Sequence, residues 1–191
     1  MGKKITIFEN FFKNNLKVMV GSGGITQKGF IETDVDTHDI TRWIDWMLNF
    51  RKGSVSVVFA EHVLEHLSLA QNIVTAKLVF KYLKPGGVFR ISVPDKNRLD
   101  KKYVKSVKPP ADGHKSYFNL QILSKTLEDA GFKVIPLEYH DSKGNFHHNN
   151  WDSKFGRVRR SFKYDKQKDF WNGKFHYTSL IVDAVKPLNK N

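Results

Sequence analysis

Four side chains that can carry acid–base chemistry follow a single apolar segment. The segment is Val55–Ala60, and Glu61, His62, Glu65 and His66 come directly after it. Histidine exchanges a proton near neutral pH, and carboxylates act as bases or bind cations. Because the apolar, β-branched segment predicts a buried strand, we expect these side chains at a strand end, with His62 facing a cavity and Glu65 capping or pairing.

The same residues spell a pattern that binds zinc in some hydrolases. His62 to His66 reads His-x-x-Glu-His, in which two histidines on one helical face hold the metal and the glutamate is the base. Here the five residues follow a strand at once, no helical pattern extends through them, and no third ligand is evident downstream. A strand-end turn without a metal is therefore the preferred prediction, and a zinc hydrolase on His62 and His66 is an alternative.

His114 and Tyr117 form a second candidate pair for proton transfer. They lie three residues apart, just before a predicted helix. A base with a pKa near neutrality assists a displacement reaction when the attacking group is a hydroxyl or a protonated amine. We predict that His114 is a general base or positions the substrate, with Tyr117 beside it; the alternative for His114 is a solvated loop histidine.

A glycine-rich turn provides a candidate cofactor site. Gly21-Ser22-Gly23-Gly24 follows the predicted strand Leu16–Val20, and such a turn lets a ligand approach the backbone amides closely. Asp34 ends the next predicted strand, at 30–35, where an acidic residue accepts hydrogen bonds from ribose hydroxyls in nucleotide-binding folds. No Lys-Ser/Thr pair follows the glycines, so phosphate binding of the P-loop kind is not predicted.

The composition restricts the chemistry further. The 191 residues contain no cysteine, which excludes disulfides, thiolate nucleophiles and thiolate metal sites. The formal net charge of +13 favours anionic partners such as nucleic acid, an anionic glycan or lipid, or a phosphorylated small molecule. No apolar run reaches the roughly 18 residues of a membrane span, and no signal-peptide core follows Met1. We therefore expect a cytoplasmic protein with one domain over 1–191.

Alternating strands and helices predict an α/β fold. Helices are expected over 41–50 and 71–83, and strands over 55–60 and 88–93. Residues 84–87, Lys-Pro-Gly-Gly, should separate the second helix from its strand, because proline cannot continue a helix and glycine adopts the positive φ of a turn. Two strands that bracket a helix form a βαβ unit, so we expect a sheet covered on both faces.

The second half of the chain is more basic. Residues 96–117 carry seven lysines and arginines and are predicted to form a surface loop. Asn119 is expected to cap a helix, and the last strands are expected at 133–139 and 177–185. Between these strands lies a basic, aromatic insertion at about 141–175, whose cations and rings suit nucleic acid, a carbohydrate or an anionic small molecule.

In this order, the elements resemble the class I S-adenosylmethionine-dependent methyltransferases. The resemblance rests on residues 18–24, 29–34 and 61–67, and on the Lys-Pro-Gly-Gly element within 83–95. The chain is most similar to a compact branch described as predicted methyltransferases, of the type 11-like kind, and the similarity covers nearly its whole length. This implies a Rossmann-like three-layer sandwich, a mostly parallel sheet with an antiparallel C-terminal strand, and S-adenosylmethionine as cofactor.

The resemblance also implies roles for particular residues. The glycine turn would line the amino-acid end of the cofactor, and Asp34 would hold its ribose. Asp39 and Ile40 would flank the adenine, whereas Glu61 and His62 would face the transferred methyl. The predicted catalytic residues are thus His114, His62 and Tyr117, and the predicted cofactor-binding residues are Gly21, Ser22, Gly23, Asp34, Asp39, Ile40, Glu61 and His62.

One spacing departs from the pattern of that family. Only residues 25–29 separate the glycine turn from the next strand, whereas a crossover helix needs about a dozen residues. Either a single turn replaces that helix or the strand order differs locally. We predict methyl transfer to an unidentified acceptor, such as a saccharide or another anionic small molecule, with the basic insertion forming part of the acceptor site. The alternative is a non-catalytic basic module that binds nucleic acid.

Overall fold

The fold is built on a seven-stranded sheet. The computed structural model describes residues 12–165 and 179–188. The order across the sheet is β2-β1-β3-β4-β7-β5-β6, with β1 to β4 parallel and β7 antiparallel between β4 and β5. The predicted α/β class, with a mostly parallel sheet and an antiparallel C-terminal strand, is confirmed. The strands are β1 (Leu16–Val20), β2 (Ile31–Glu32), β3 (Val55–Glu61), β4 (Leu83–Val93), β5 (Lys133–His140), β6 (Phe146–His148) and β7 (Leu180–Val185).

The described residues form four α-helices. Ser68 and Gln71 make a capping box at the start of the second, and Asn119 caps the fourth as predicted, accepting a hydrogen bond from the Ile122 N–H at 3.0 Å. None of these helices has the length and apolar character needed to cross a membrane. The helices are α1 (Trp43–Asn49), α2 (Leu69–Tyr82), α3 (Lys101–Val107) and α4 (Leu120–Glu128).

Helices cover one face of the sheet. Alternate side chains of a strand point to opposite faces, so Val18 and Val58 belong to one side. They share a buried cluster with Trp46 of α1, Val79 of α2 and Leu123 of α4. This cluster is the main hydrophobic core, and it fixes where the carboxyl ends of β1 and β3 lie relative to the helices.

Irregular chain covers much of the opposite face. Met19 and Phe59 point to that side, where they pack with Trp151 and Val158 of the insertion. Residues 21–30 contain turns and no helix, while β2 still pairs parallel with β1. Of the two alternatives for this short connection, the structure therefore shows turns in place of the crossover helix, with β2 still parallel beside β1.

A buried ion pair ties the insertion to the sheet. Arg90 of β4 is 1% exposed and makes two hydrogen bonds of 2.7 Å to the carboxylate of Asp183 on β7. Its remaining donors reach the backbone carbonyls of Asp152 at 2.6 Å and Gly156 at 2.9 Å. A buried guanidinium needs several hydrogen-bond acceptors, and here the sheet supplies a carboxylate while the insertion supplies two backbone carbonyls.

The prediction of a loop over 96–117 was wrong in part, since α3 lies within it. Asp100 caps α3 by accepting hydrogen bonds from the N–H groups of Lys102 at 2.9 Å and Tyr103 at 3.0 Å. Tyr103 and Val107, four residues apart, are buried side chains of this helix. The many lysines concealed this short apolar stripe in the sequence.

Candidate functional site

A cleft of about 560 Å³ opens where β1 and β3 end. In open α/β sheets, ligands bind beyond the carboxyl ends of the strands, and this volume lies within the range of small-molecule sites. Three separate chain segments meet there: the glycine turn after β1, residues 34–41, and the segment that follows β3. Six of the predicted residues line the cleft, namely Gly21, Gly23, Asp34, Asp39, Ile40 and His62.

The backbone of the glycine turn requires glycine at its first position. Gly21 has φ of +58°, and a Cβ at this position would lie 2.5 Å from Cγ2 of Val63 across the cleft. Both the left-handed conformation and the close approach exclude a side chain there. Gly24 also has a positive φ, of +79°, but no atom lies within 4 Å of its ideal Cβ. Of these two glycines, only Gly21 therefore lies in close contact with Val63.

Asp34 is held in one orientation by backbone amides. Its Oδ2 accepts a hydrogen bond from the Gly23 N–H at 2.8 Å, and its Oδ1 accepts one from the Val35 N–H at 3.0 Å. Each carboxylate oxygen keeps further acceptor capacity. The side chain can therefore accept hydrogen bonds from two neighbouring hydroxyl groups in the cleft.

The two residues predicted to flank the adenine, Asp39 and Ile40, are also held in place by hydrogen bonds. Asp39 Oδ1 accepts hydrogen bonds from the N–H and the hydroxyl of Thr41 at 2.8 and 2.7 Å. Ile40 is buried, and its carbonyl accepts a hydrogen bond from the indole N–H of Trp46 at 2.9 Å. Segment 39–41 thus forms a fixed wall that presents both an apolar and an acidic side chain.

His38 lines the cleft and was not predicted from the sequence. It is buried edge-on against Trp46 and Phe50, and Asn49 Nδ2 lies 3.2 Å from its Nδ1. When the Asn49 amide donates to Nδ1, the hydrogen of His38 is on Nε2, and Nε2 has no hydrogen-bond partner among the described residues. Nε2 is itself buried, so this donor lies inside the wall of the cleft. The neighbouring sequence does not distinguish His38 from a histidine that only packs in the hydrophobic core.

Acid should destabilise the fold through His38. Burial lowers its pKa from 6.5 to about 4, although the nearby Asp45 and Asp39 raise it. Because the pKa is lowered in the folded state, the associated stability is complete above pH 6.5 and is lost as the pH falls toward 4. Between pH 7 and pH 5 we expect a loss of about 2 kcal/mol from this group.

Urea unfolding at the two pH values measures this loss directly. His38→Gln removes the titrating ring and should reduce the difference between pH 7 and pH 5 by about 2 kcal/mol. His147→Gln, at a partly exposed position, is the matched control and should keep most of the wild-type difference. An equal pH dependence in wild type and His38→Gln would show that His38 is not responsible.

His62 occupies a strained position at the end of β3. It is a non-glycine residue with φ of +58°, a conformation that clusters at functional sites. Its Nδ1 lies 2.9 Å from Oε1 of Glu65, and its Nε2 lies 3.0 Å from the hydroxyl of Ser179. The ion-pair distance between His62 and Glu65 agrees with the predicted pairing of Glu65, and the Ser179 hydroxyl is within hydrogen-bond distance of the other ring nitrogen.

The prediction that Glu61 contacts the cofactor does not agree with its position. Its side chain is buried, and its Oε1 accepts hydrogen bonds from the N–H groups of Arg159 at 2.8 Å and Arg160 at 3.1 Å. Glu61 is the last residue of β3, and its side chain anchors the insertion instead of lining the cleft. Ser22 does not line the cleft either; its N–H donates to the Thr33 carbonyl at 3.0 Å within the turn.

His114 and Tyr117 lie outside the lining of the cleft. His114 is buried, which excludes the alternative of a solvated loop histidine, and its Nδ1 donates to the Val107 carbonyl at 2.8 Å. Its ring centroid is 5.0 Å from that of His66, which does line the cleft. Burial, and then the charge of Asp95, raise the pKa of Tyr117, which makes its phenol a poorer acid and keeps it protonated.

The lysines and arginines of the insertion that the structure describes, up to residue 165, do not line this cleft. A second cavity, of about 350 Å³, is lined by residues that share no member with the first cleft. Its cationic lining residues are Lys17, Lys28, Lys154 and Arg157. A positive cavity is what binding of nucleic acid or another anion requires, so that part of the hypothesis stays a prediction. Residues 166–175 of the insertion lie outside the described residues.

Comparisons with known proteins agree with this architecture. A methyltransferase from Archaeoglobus fulgidus, described as SAM-dependent, has 16% identity and a TM-score of 0.55, over 92% of this chain and 88% of that chain. One from Methanosarcina mazei has 14% identity and a TM-score of 0.53, over 93% and 94%. One from Mesorhizobium loti has 11% identity and a TM-score of 0.52, over 91% and 92%. At such identities these likenesses establish the fold.

The family is established by sequence. No match is found among the curated proteins. Residues 3–137, which are more than half of the chain, match the family described as methyltransferase domain. This range includes the glycine turn, Asp34, His62 and the strands that hold them. The chain therefore belongs to the methyltransferase domain family.

Proposed function

We propose that this protein transfers a methyl group from S-adenosylmethionine, and that the cofactor binds in the cleft beyond β1 and β3. The observation that supports this most directly is the convergence of Gly21, Asp34, Ile40 and His62 on one cavity. These residues come from three separate segments. Each of them matches a cofactor-binding position of the methyltransferases that the sequence resembles.

The groups around the cleft fit such a cofactor. The carboxylate of Asp34 is oriented by two backbone amides and would accept hydrogen bonds from the two ribose hydroxyls. Ile40 offers an apolar surface to the adenine. The backbone of the glycine turn, which lines the cleft at Gly21 and Gly23, would receive the amino-acid end.

When bound, S-adenosylmethionine supplies an electrophilic methyl group on a sulfonium. The displacement depends on alignment of the acceptor, so the protein mainly holds the reactants and excludes water. His62 is the predicted catalytic residue that lines the cleft, and Glu65 and Ser179 fix its ring there. We propose that His62 positions the acceptor or receives its proton, in preference to His114.

The acceptor is proposed to be a small molecule with an anionic group. Lys115 lines the cleft and brings a positive charge to it. His66 lines the same cleft and is exposed. A saccharide that carries a carboxylate or phosphate fits this combination of a cation and hydrogen-bonding groups.

Titration calorimetry with S-adenosylhomocysteine, the demethylated product, tests the cofactor site. We expect micromolar binding to the full chain and about tenfold weaker binding to Gly21→Ala. The substitution imposes a left-handed conformation on alanine and forces Val63 away from its place in the wall. The cleft would therefore change shape at the end that receives the amino acid.

Gly24→Ala is the matched control for backbone strain. It has the same sign of φ and open space around its ideal Cβ, so its destabilisation should resemble that of Gly21→Ala without the loss of affinity. Absence of any binding of S-adenosylhomocysteine or S-adenosylmethionine to the wild type would contradict the proposed function. Equal losses of affinity in the two variants would contradict the placement of the cofactor against Gly21.

A further inference from the structure

One carboxylate and two imidazoles come together beside the cleft. Ligand atoms of Glu65, His66 and His114 all lie within 4.8 Å of one another. In a tetrahedral zinc site with bonds of about 2.0 to 2.2 Å, two ligand atoms lie about 3.4 Å apart. Side-chain rotations that bring the ligand atoms closer by up to about 1.4 Å would therefore close the cluster around an ion. The second histidine comes from a distant segment, which explains why no third ligand was evident near His62.

Glu65 has an unmet electrostatic requirement. It is 1% exposed, and neither of its carboxylate oxygens accepts a hydrogen bond from the described residues. His62 Nδ1 is 2.9 Å from Oε1, but this ion-pair distance is not accompanied by a hydrogen bond of normal alignment. Burying a carboxylate without full compensation costs several kcal/mol. A bound cation would supply what the surrounding side chains do not.

A hydrogen bond from His114 to a backbone carbonyl leaves the other ring nitrogen able to bind a metal ion. The Val107 carbonyl can only accept, so the hydrogen of the 2.8 Å contact is on Nδ1 and the lone pair of Nε2 is available. A backbone carbonyl on the second nitrogen is the usual way in which proteins orient a histidine that binds a metal. Asp112 Oδ2 lies 4.0 Å from Nε2 and adds negative charge on the exposed side.

The backbone holds the two parts of the cluster together. The carbonyl of Glu65 accepts hydrogen bonds from the N–H groups of Lys115 at 2.7 Å and Ser116 at 3.0 Å. The segment that carries His114 is thereby fixed to the turn that carries Glu65 and His66. His66 is the exposed member, and its ring packs edge-on against His114. The site is therefore rigid on its buried side and accessible on the side of the cleft.

We propose that Glu65, His66 and His114 bind a divalent transition-metal ion. Two nitrogens and one oxygen favour Zn²⁺ or a similar ion over Mg²⁺ or Ca²⁺, which prefer oxygen ligands. This site differs from the zinc hydrolase alternative, because His62 is not in the cluster and Glu65 is a ligand rather than a base. Since His66 lines the cleft, the ion would have an open position there; its use for holding an oxygen of the acceptor rests on the proposed function.

Zinc titration of chelator-treated full-length protein tests the site. Calorimetry should show one high-affinity Zn²⁺ per chain. Changes to residues that only support a ligand reduce metal affinity 10- to 100-fold, so removal of a ligand in His66→Ala should reduce it at least about 100-fold. Glu65→Gln, which keeps the shape of the side chain, should give a comparable loss. His147→Ala removes a histidine that contacts Asp141 on the surface and should leave the affinity unchanged.

Two results would overturn the metal site: no stoichiometric Zn²⁺ binding by the wild type, or unchanged affinity in both His66→Ala and Glu65→Gln. Binding of S-adenosylhomocysteine is measured on the same samples. If that binding persists while Zn²⁺ fails to bind, the metal site is wrong and the proposed function stands. If Zn²⁺ binds and S-adenosylhomocysteine does not, the metal site stands and the proposed function is wrong.

Discussion

Asp34→Ala should weaken the binding of S-adenosylhomocysteine by about 100-fold. Hydrogen bonds to a charged group contribute about 1.5 to 3 kcal/mol each, and a carboxylate that receives two ribose hydroxyls would lose two of them. A loss near 3 kcal/mol corresponds to about a hundredfold change in the dissociation constant. The substitution also frees the Gly23 and Val35 amides that now orient the carboxylate, which loosens the turn further.

Asp36→Ala serves as the matched control, since Asp36 is an exposed carboxylate two residues away that does not line the cleft. It removes the same charge and should change the affinity by less than about threefold, because exposed charges are screened by solvent. Asp34→Asn keeps the size of the side chain and should give an intermediate loss. If Asp34→Ala bound as tightly as Asp36→Ala, the ribose would have to be held elsewhere.

Arg90→Leu should lower the free energy of unfolding by about 3 to 5 kcal/mol, the usual effect of removing one partner from a buried ion pair. The change leaves the Asp183 carboxylate without its guanidinium, and it removes the donors to the carbonyls of Asp152 and Gly156. Because those carbonyls belong to the insertion, we expect the insertion to detach from the sheet before the rest unfolds. Denaturant unfolding combined with limited proteolysis measures both effects.

The double variant Arg90→Leu/Asp183→Leu shows whether the lost stability comes from the broken ion pair or from lost packing. With both charges replaced by apolar side chains, at least half of the stability should return, because no buried charge is left alone. Lys125→Ala, in an exposed ion pair of 2.9 Å with Asp129, should change the stability by less than about 1 kcal/mol. Arg90→Leu with wild-type stability would mean that the insertion does not depend on this pair.

Local sequence patterns predicted much of the scaffold. The β-branched run of β3 and the cap at Asn119 are features of neighbouring residues, and both appear where expected. The glycine turn with Asp34 was predicted for the same reason, since a left-handed backbone and a strand end are local properties. The short α3 was missed because its apolar pair, Tyr103 and Val107, lies among lysines that dominate the composition.

Residues whose role depends on distant partners were predicted less well. Glu61 was expected at the cofactor, but its partners are backbone amides about a hundred residues later in the insertion. His38 was missed because its unpaired Nε2 depends on how Asn49, Trp46 and Phe50 pack around it. Contacts of this kind leave no periodic signal in the sequence.

Local patterns in the sequence were enough to predict most of the strands and helices, the glycine turn and the acidic residue that follows it, because backbone conformation and hydrophobic periodicity are set by near neighbours. Which side chains contact one another followed from the tertiary packing. It turned the basic insertion into a cover for the sheet, directed Glu61 away from the cleft, and placed His114 beside Glu65 and His66. These contacts depend on how segments that are far apart in the sequence pack against one another. That packing depends on all the side chains of the core together.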